Sequence, residues 1–116
     1  MNRRYRLTRS KDFMRVRRVG KSYAHPLLVL IATPSGLEKF RVGISAGKSV
    51  GGAVERNRAK RMLREAARQQ LAALRPGYDI ILLARQPIVT ASLAEIETAI
   101  GMLASRAGVV NDENSG

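Results

Sequence analysis

The sequence predicts an α+β fold, a single-layer mixed sheet of about four strands covered by helices in the order α-β-β-β-α-β-α. Three observations carry that prediction. Two continuous apolar runs, Leu27 to Ala32 and Tyr78 to Ala84, read as strands buried on both faces or set centrally in a sheet. Phe40 to Ser45 alternates, placing Phe40, Val42 and Ile44 on one face and Arg41, Gly43 and Ser45 on the other. A long amphipathic helical stretch separates the last two strands, so residues 40–84 read as a βαβ unit with parallel strands. The general rule for such crossovers is a right-handed connection.

In chain order, residues 1–8 form a basic arm with Leu7 as its one apolar anchor. Ser10 is a good N-cap for a short helix through Val19, with Phe13 and Val16 on a shared face. Gly20 closes that helix as a residue for which positive φ is cheap. The strand from Leu27 follows, then a Pro34-Ser35-Gly36 turn and the alternating strand. Lys48 to Gly52 leads into the long helix, expected from Gly52 to Leu74 and stopped by Arg75-Pro76-Gly77. After the second apolar strand, Ser92 and Glu95 make a capping box. Leu93, Ile96, Ile100 and Leu103 give the final helix one apolar face. Residues 107–116 read as a disordered tail, and the whole of residues 1–116 as a single domain.

Charge supplies the functional signal. The 116 residues carry a formal net charge of +12, extreme for an enzyme of small metabolites and suited to a polyanion. The basic residues gather in the first and middle thirds of the chain. In the long helix Ala59, Met62, Leu63, Ala66 and Leu74 share one arc, while Asn57, Arg61, Arg64 and Arg68 stack on the opposite side. An ordinary solvated helix face mixes signs. Here the face sets a single Glu65 against Arg56, Arg58, Lys60, Arg61, Arg64 and Arg68, and the like-charge repulsion is reversed by a polyanionic partner.

Other classes find little support. The chain has no cysteine, which removes disulfides and thiolate chemistry. The longest apolar run is far short of the ~20 residues that span a bilayer. The Gly51-Gly52 turn lacks the spacing of a phosphate-binding fingerprint. His25, the one histidine, sits before Pro26 with no carboxylate near it in sequence and reads as a surface or edge residue. Glu95 and Glu97 turn away from each other on their helix. With no base, nucleophile or ligand cluster in view, binding is the function these residues support.

The run Lys48-Ser49-Val50-Gly51-Gly52-Ala53-Val54-Glu55-Arg56-Asn57-Arg58-Ala59-Lys60-Arg61 resembles the protein subunit of bacterial ribonuclease P, marked by an Arg-Asn-Arg helix after a Lys, Gly, Ala-Val pattern. Arg6-Leu7, Asp12-Phe13, Val16, Gly20, Arg41 to Ser45 and Asp79 to Ile81 extend the likeness over roughly residues 3–104. The resemblance implies a cytoplasmic ribonucleoprotein that removes the 5′ leader of precursor tRNA. Its catalyst is the large RNA subunit and its working ion is Mg²⁺, held mainly by that RNA. A monomeric protein in a 1:1 complex with the RNA is implied, as is a left-handed βαβ crossover, against the general rule. Carried over by position, Arg56, Asn57, Arg58, Lys60, Arg61, Arg64 and Arg68 would meet the RNA subunit. Phe13, Arg17, Arg41, Gly43, Ser45 and Lys48 would line a groove for the single-stranded leader. Arg17 and Ile31 stand where relatives often carry aromatics, which shifts leader contact toward charge. The competing reading is a ribosomal or other structural RNA-binding protein without a processing role.

Overall fold

The computed structural model describes residues 6, 7, 9–71 and 75–110. Its elements run α1 (Ser10–Val19), β1 (Lys21–Ala24), β2 (Leu28–Pro34), β3 (Arg41–Ser45), α2 (Ala53–Gln70), β4 (Tyr78–Ala84) and α3 (Leu93–Ala107), with 3-10 turns at Lys48–Val50 and Gln86–Thr90. The four strands form one mixed sheet in the order β1-β2-β4-β3. β4 pairs antiparallel with β2 and parallel with β3, from Arg41 opposite Asp79 to Ser45 opposite Leu83. The expected parallel βαβ unit and the central place of the second apolar strand are both present.

Alternation along the strands divides the sheet between two cores. Leu28, Leu30, Ala32, Val42, Ile80 and Leu82 face α2 and α3, whose Ala59, Leu63, Ala66, Ile96, Ile100 and Leu103 complete the larger core. On the other face Ile31 and Ile81 pack with Leu7 and Val16, joined by Phe13, Val29 and Leu83. α1 lies over β2 and β4, and that leaves the outer face of β3 open beside it.

Four local expectations change. β1 has no apolar pattern and was not located by the sequence; it pairs with β2 as a short edge strand, Tyr23 opposite Leu30. Arg9, not Ser10, occupies the N-cap of α1 and makes no side-chain cap. Gly20 has φ −75°, so its smallness serves a close approach: a Cβ there would stand 2.5 Å from the Val16 carbonyl oxygen and 2.7 Å from Ile31 Cγ2. The long helix ends at Gln70 with Leu71 buried behind it; Leu74 lies outside the described residues.

Residues 107–110, expected to belong to the tail, are part of the fold. Gly108 takes the left-handed conformation and donates to Ala104, as does Val109, a Schellman-type closure with an apolar residue following the glycine. Val109 is fully buried, and its carbonyl accepts the Arg75 N–H at 2.7 Å. Residues 111–116 and 1–5 lie outside the described residues. The Ser92–Glu95 capping box is present in both directions, at 3.1 and 2.9 Å.

Candidate nucleic-acid interface

The open face of β3 is the floor of a groove of about 270 Å³, lined by Arg6, Leu7, Phe13, Val42, Gly43, Ile44 and Arg64. Its outer wall is Arg6 and Leu7. Leu7 donates its N–H to the Val42 carbonyl at 2.9 Å, and Arg6 bridges Val42 in parallel, so these two residues cover part of the free edge of β3. The inner wall is α1, which brings Phe13 over Gly43. A Cβ on Gly43 would fall 2.4 Å from Phe13 Cζ and 2.8 Å from Cε2. Glycine is therefore what lets the ring settle on the strand. Phe13 is half-buried, so it is both a packing residue of the smaller core and a wall of the groove.

α2 forms the adjoining ridge. Gly52 donates its N–H to Glu55 Oε1 at 2.8 Å, which ties down the first turn in place of a side-chain N-cap. Asn57, Arg61 and Arg68 are exposed, with Arg68 bonded to Glu65; Arg56, Lys60 and Arg64 are partly buried. Arg58 turns another way, and its guanidinium donates to the Val89 carbonyl at 2.9 Å, fastening α2 to the Gln86–Thr90 turn. Arg64 belongs both to the row of Asn57, Arg61 and Arg68 and to the groove lining. The sequence assigned that row and the groove to separate surfaces; the fold makes them contiguous.

The other expected groove residues are placed differently. Arg17 is exposed on α1 and Lys48 is exposed at the start of its 3-10 turn, while Ser45 is half-buried at the end of β3; none of the three lines the groove. Arg41 is held by Asp79: its Nε donates to Oδ1 at 2.9 Å and its Nη2 to Oδ2 at 2.8 Å. Arg15 of α1 bonds to the same carboxylate, and Asp12 stands 3.6 Å from Arg41. Burial alone would push the Asp79 carboxyl up. The hydrogen bonds from Arg41 and Arg15 outweigh it and hold the carboxyl below its ordinary value, while the Asp79 bond raises Arg41.

The sequence reading missed Arg6, and Arg64 as a groove residue. It also missed the Asp12–Arg15–Arg41–Asp79 cluster, for which the one available signal was a carboxylate at the head of an otherwise apolar strand. His25 sits in the β1–β2 turn, its Nδ1 accepting from the Leu27 N–H at 3.1 Å, a structural role. Among the described residues no helix is long and apolar enough to cross a membrane.

Comparison with known proteins decides the family. The family model described as Ribonuclease P matches residues 1–108. The chain belongs to the ribonuclease P protein family. A ribonuclease P protein component of Herpetosiphon aurantiacus is 43% identical over 112 residues, covering 97% of this chain and 91% of that one. The component from Dehalococcoides mccartyi strain 195 is 43% identical, covering 94% and 89%. Among solved structures, the Staphylococcus aureus RNase P protein is similar with TM-score 0.81 and 32% identity, covering 92% of this chain and 98% of that one. The Thermotoga maritima RNase P protein has TM-score 0.74 and 26% identity, covering 86% and 96%. The fold of a ribonuclease P protein thus carries both the groove and the cationic ridge.

Proposed function

We propose that this chain is the protein component of a ribonuclease P ribonucleoprotein and assists endonucleolytic removal of the 5′ leader from precursor tRNA. Family membership supports the partnership with a ribonuclease P RNA. In this reading the RNA subunit performs the chemistry and holds most of the Mg²⁺. Among the described residues no three His, Cys, Asp or Glu side chains gather into a group that would hold a metal ion. The complex is 1:1 and cytoplasmic.

The observation that carries the reading is the Phe13 ring seated on Gly43 in a groove that runs into the α2 ridge through Arg64. Exposed Asn57, Arg61 and Arg68, with Arg56 and Lys60 beside them, bind the RNA subunit, where each phosphate contact releases counterions. The groove takes the single-stranded leader. Phe13 stacks on a base, an interaction worth ~1–3 kcal/mol and tolerant of base identity, while Arg6 and Arg64 contact its phosphates. Arg17, Ser45 and Lys48 extend this surface beyond the groove, and Arg41 supports its floor.

Reconstitution with a bacterial ribonuclease P RNA tests the proposal. Purified protein should accelerate precursor-tRNA cleavage at low Mg²⁺, where the RNA alone is slow. Binding to the RNA without any acceleration would favour a structural RNA-binding protein instead.

A further inference from the structure

The Asp79 carboxylate is buried with its side chain 0% exposed, yet it meets arginines from two different elements. Arg41 lies on the neighbouring strand, in register opposite Asp79, and bonds it bidentately. Arg15 comes from α1 and bonds Oδ2. The first pair joins strands that the β3–β4 ladder already joins. The second is different in kind, because it fastens a helix that otherwise meets the sheet through Val16, the Phe13 ring and the longer Asp12–Arg41 pair at 3.6 Å.

At about 100° per residue, Phe13 lies about 60° to one side of Val16 on the α1 wheel and Arg15 about 100° to the other. With wholly buried Val16 as the pivot, a bond at Arg15 fixes the roll of the helix. That roll sets how closely the ring approaches Gly43. We propose that Asp79 and Arg15 are positioning residues for the groove: their ion pair holds α1 at the angle that seats the Phe13 ring on Gly43. The inference rests on the reading of this groove as the leader site. It assigns the pair no contact with RNA; two acids and two arginines leave the cluster formally neutral.

Arg15→Met is the suitable variant, since it keeps an apolar stem on α1 and leaves Asp79 bonded to Arg41, avoiding an unpaired buried charge. The chain has two phenylalanines, so fluorophenylalanine labelling gives two ¹⁹F resonances, at Phe13 and Phe40. In Arg15→Met the Phe13 resonance should shift or broaden and that of Phe40 should stay. In the reconstituted holoenzyme, affinity for precursor tRNA should fall about three- to tenfold, a fraction of the worth of one base–aromatic stack. Affinity for mature tRNA and for the RNA subunit should hold.

Phe13→Ala, measured in parallel, separates the two ideas. If Phe13→Ala weakens precursor binding while Arg15→Met changes neither the resonance nor the affinity, the positioning role is overturned and the groove stands. If Phe13→Ala has no effect on precursor binding, the groove reading and the inference fail together. Loss of the folded state in Arg15→Met would also overturn it, because the cluster would then hold the fold and not the ring.

Discussion

Gly43→Ala tests the groove without removing its aromatic. The new Cβ would sit 2.4 Å from Phe13 Cζ and 3.2 Å from the Leu7 carbonyl oxygen, against an ordinary carbon–carbon contact of ~3.5–4.0 Å. The ring must therefore retreat by about 1 Å. Overpacking in a closed core costs ~1–3 kcal/mol, but this ring borders an open groove and can swing outward, so the stability loss should be near the lower end of that range. The effect on binding should be larger. Losing most of a base stack worth ~1–3 kcal/mol weakens precursor affinity about tenfold, at about 1.4 kcal/mol per decade. The assay is holoenzyme binding to precursor tRNA and to mature tRNA, with thermal unfolding as the check on the fold. Gly47→Ala is the control, because a Cβ there meets nothing within 4 Å. Unchanged precursor affinity in Gly43→Ala, or equal loss for precursor and mature tRNA, would refute the stacking role.

Three further outcomes follow from side chains that the fold has reassigned. Arg58→Met should lower stability by about 1.5 kcal/mol, read as a fall in melting temperature, through removal of the charged hydrogen bond to Val89, with little change in the salt slope of RNA-subunit binding. Glu65→Gln removes the acid bonded to Arg68 on the exposed ridge and should tighten RNA-subunit binding and steepen its salt dependence, by the equivalent of up to about one phosphate; a flat response would show that Arg68 faces no phosphate. The acid limb of stability should report Asp79. Its carboxyl is depressed in the fold, so its contribution is complete above the ordinary 3.8 and is lost as pH falls through the lower folded value. Thermal melts of Asp79→Asn should therefore show a deficit at neutral pH that closes in acid, and a deficit that is constant with pH would contradict the ion-pair role.

Much of the fold was legible because its signals are local. The apolar runs at β2 and β4, the period of α2 and α3 and the Ser92–Glu95 box each lie within one segment, and all are present. β1 was not legible. Lys21-Ser22-Tyr23-Ala24 buries little, and a four-residue edge strand is specified by its partner β2 more than by its own pattern. Gly20 was read as a helix-closing glycine with positive φ, when its constraint is the close approach of the Val16 carbonyl and, across the helix–strand contact, of Ile31. The site divided in the same manner. Phe13, Gly43 and the ridge arginines were readable from helical and strand periods and from the family pattern. That Arg64 joins ridge to groove, and that Arg41 is held by Asp79 and Arg58 by Val89, depends on contacts between segments distant in sequence, where a basic residue looks alike whether it faces a polyanion or a buried carboxylate.

In the proposed function the α2 ridge binds the RNA subunit and the Phe13 groove binds the leader, with Arg64 lining the groove from the ridge. The double variant Arg61→Ala, Arg68→Ala, in which Arg64 is kept, separates the two. Its affinity for the RNA subunit should fall, and the salt slope should flatten by about one for each phosphate that the two arginines no longer neutralise. At protein concentrations that saturate the RNA, precursor tRNAs with leaders of increasing length should then show the same gain in affinity per added nucleotide as with the parent protein. A leader-length dependence that disappears in the saturated double-variant holoenzyme would contradict the division, because the ridge itself would be binding the leader.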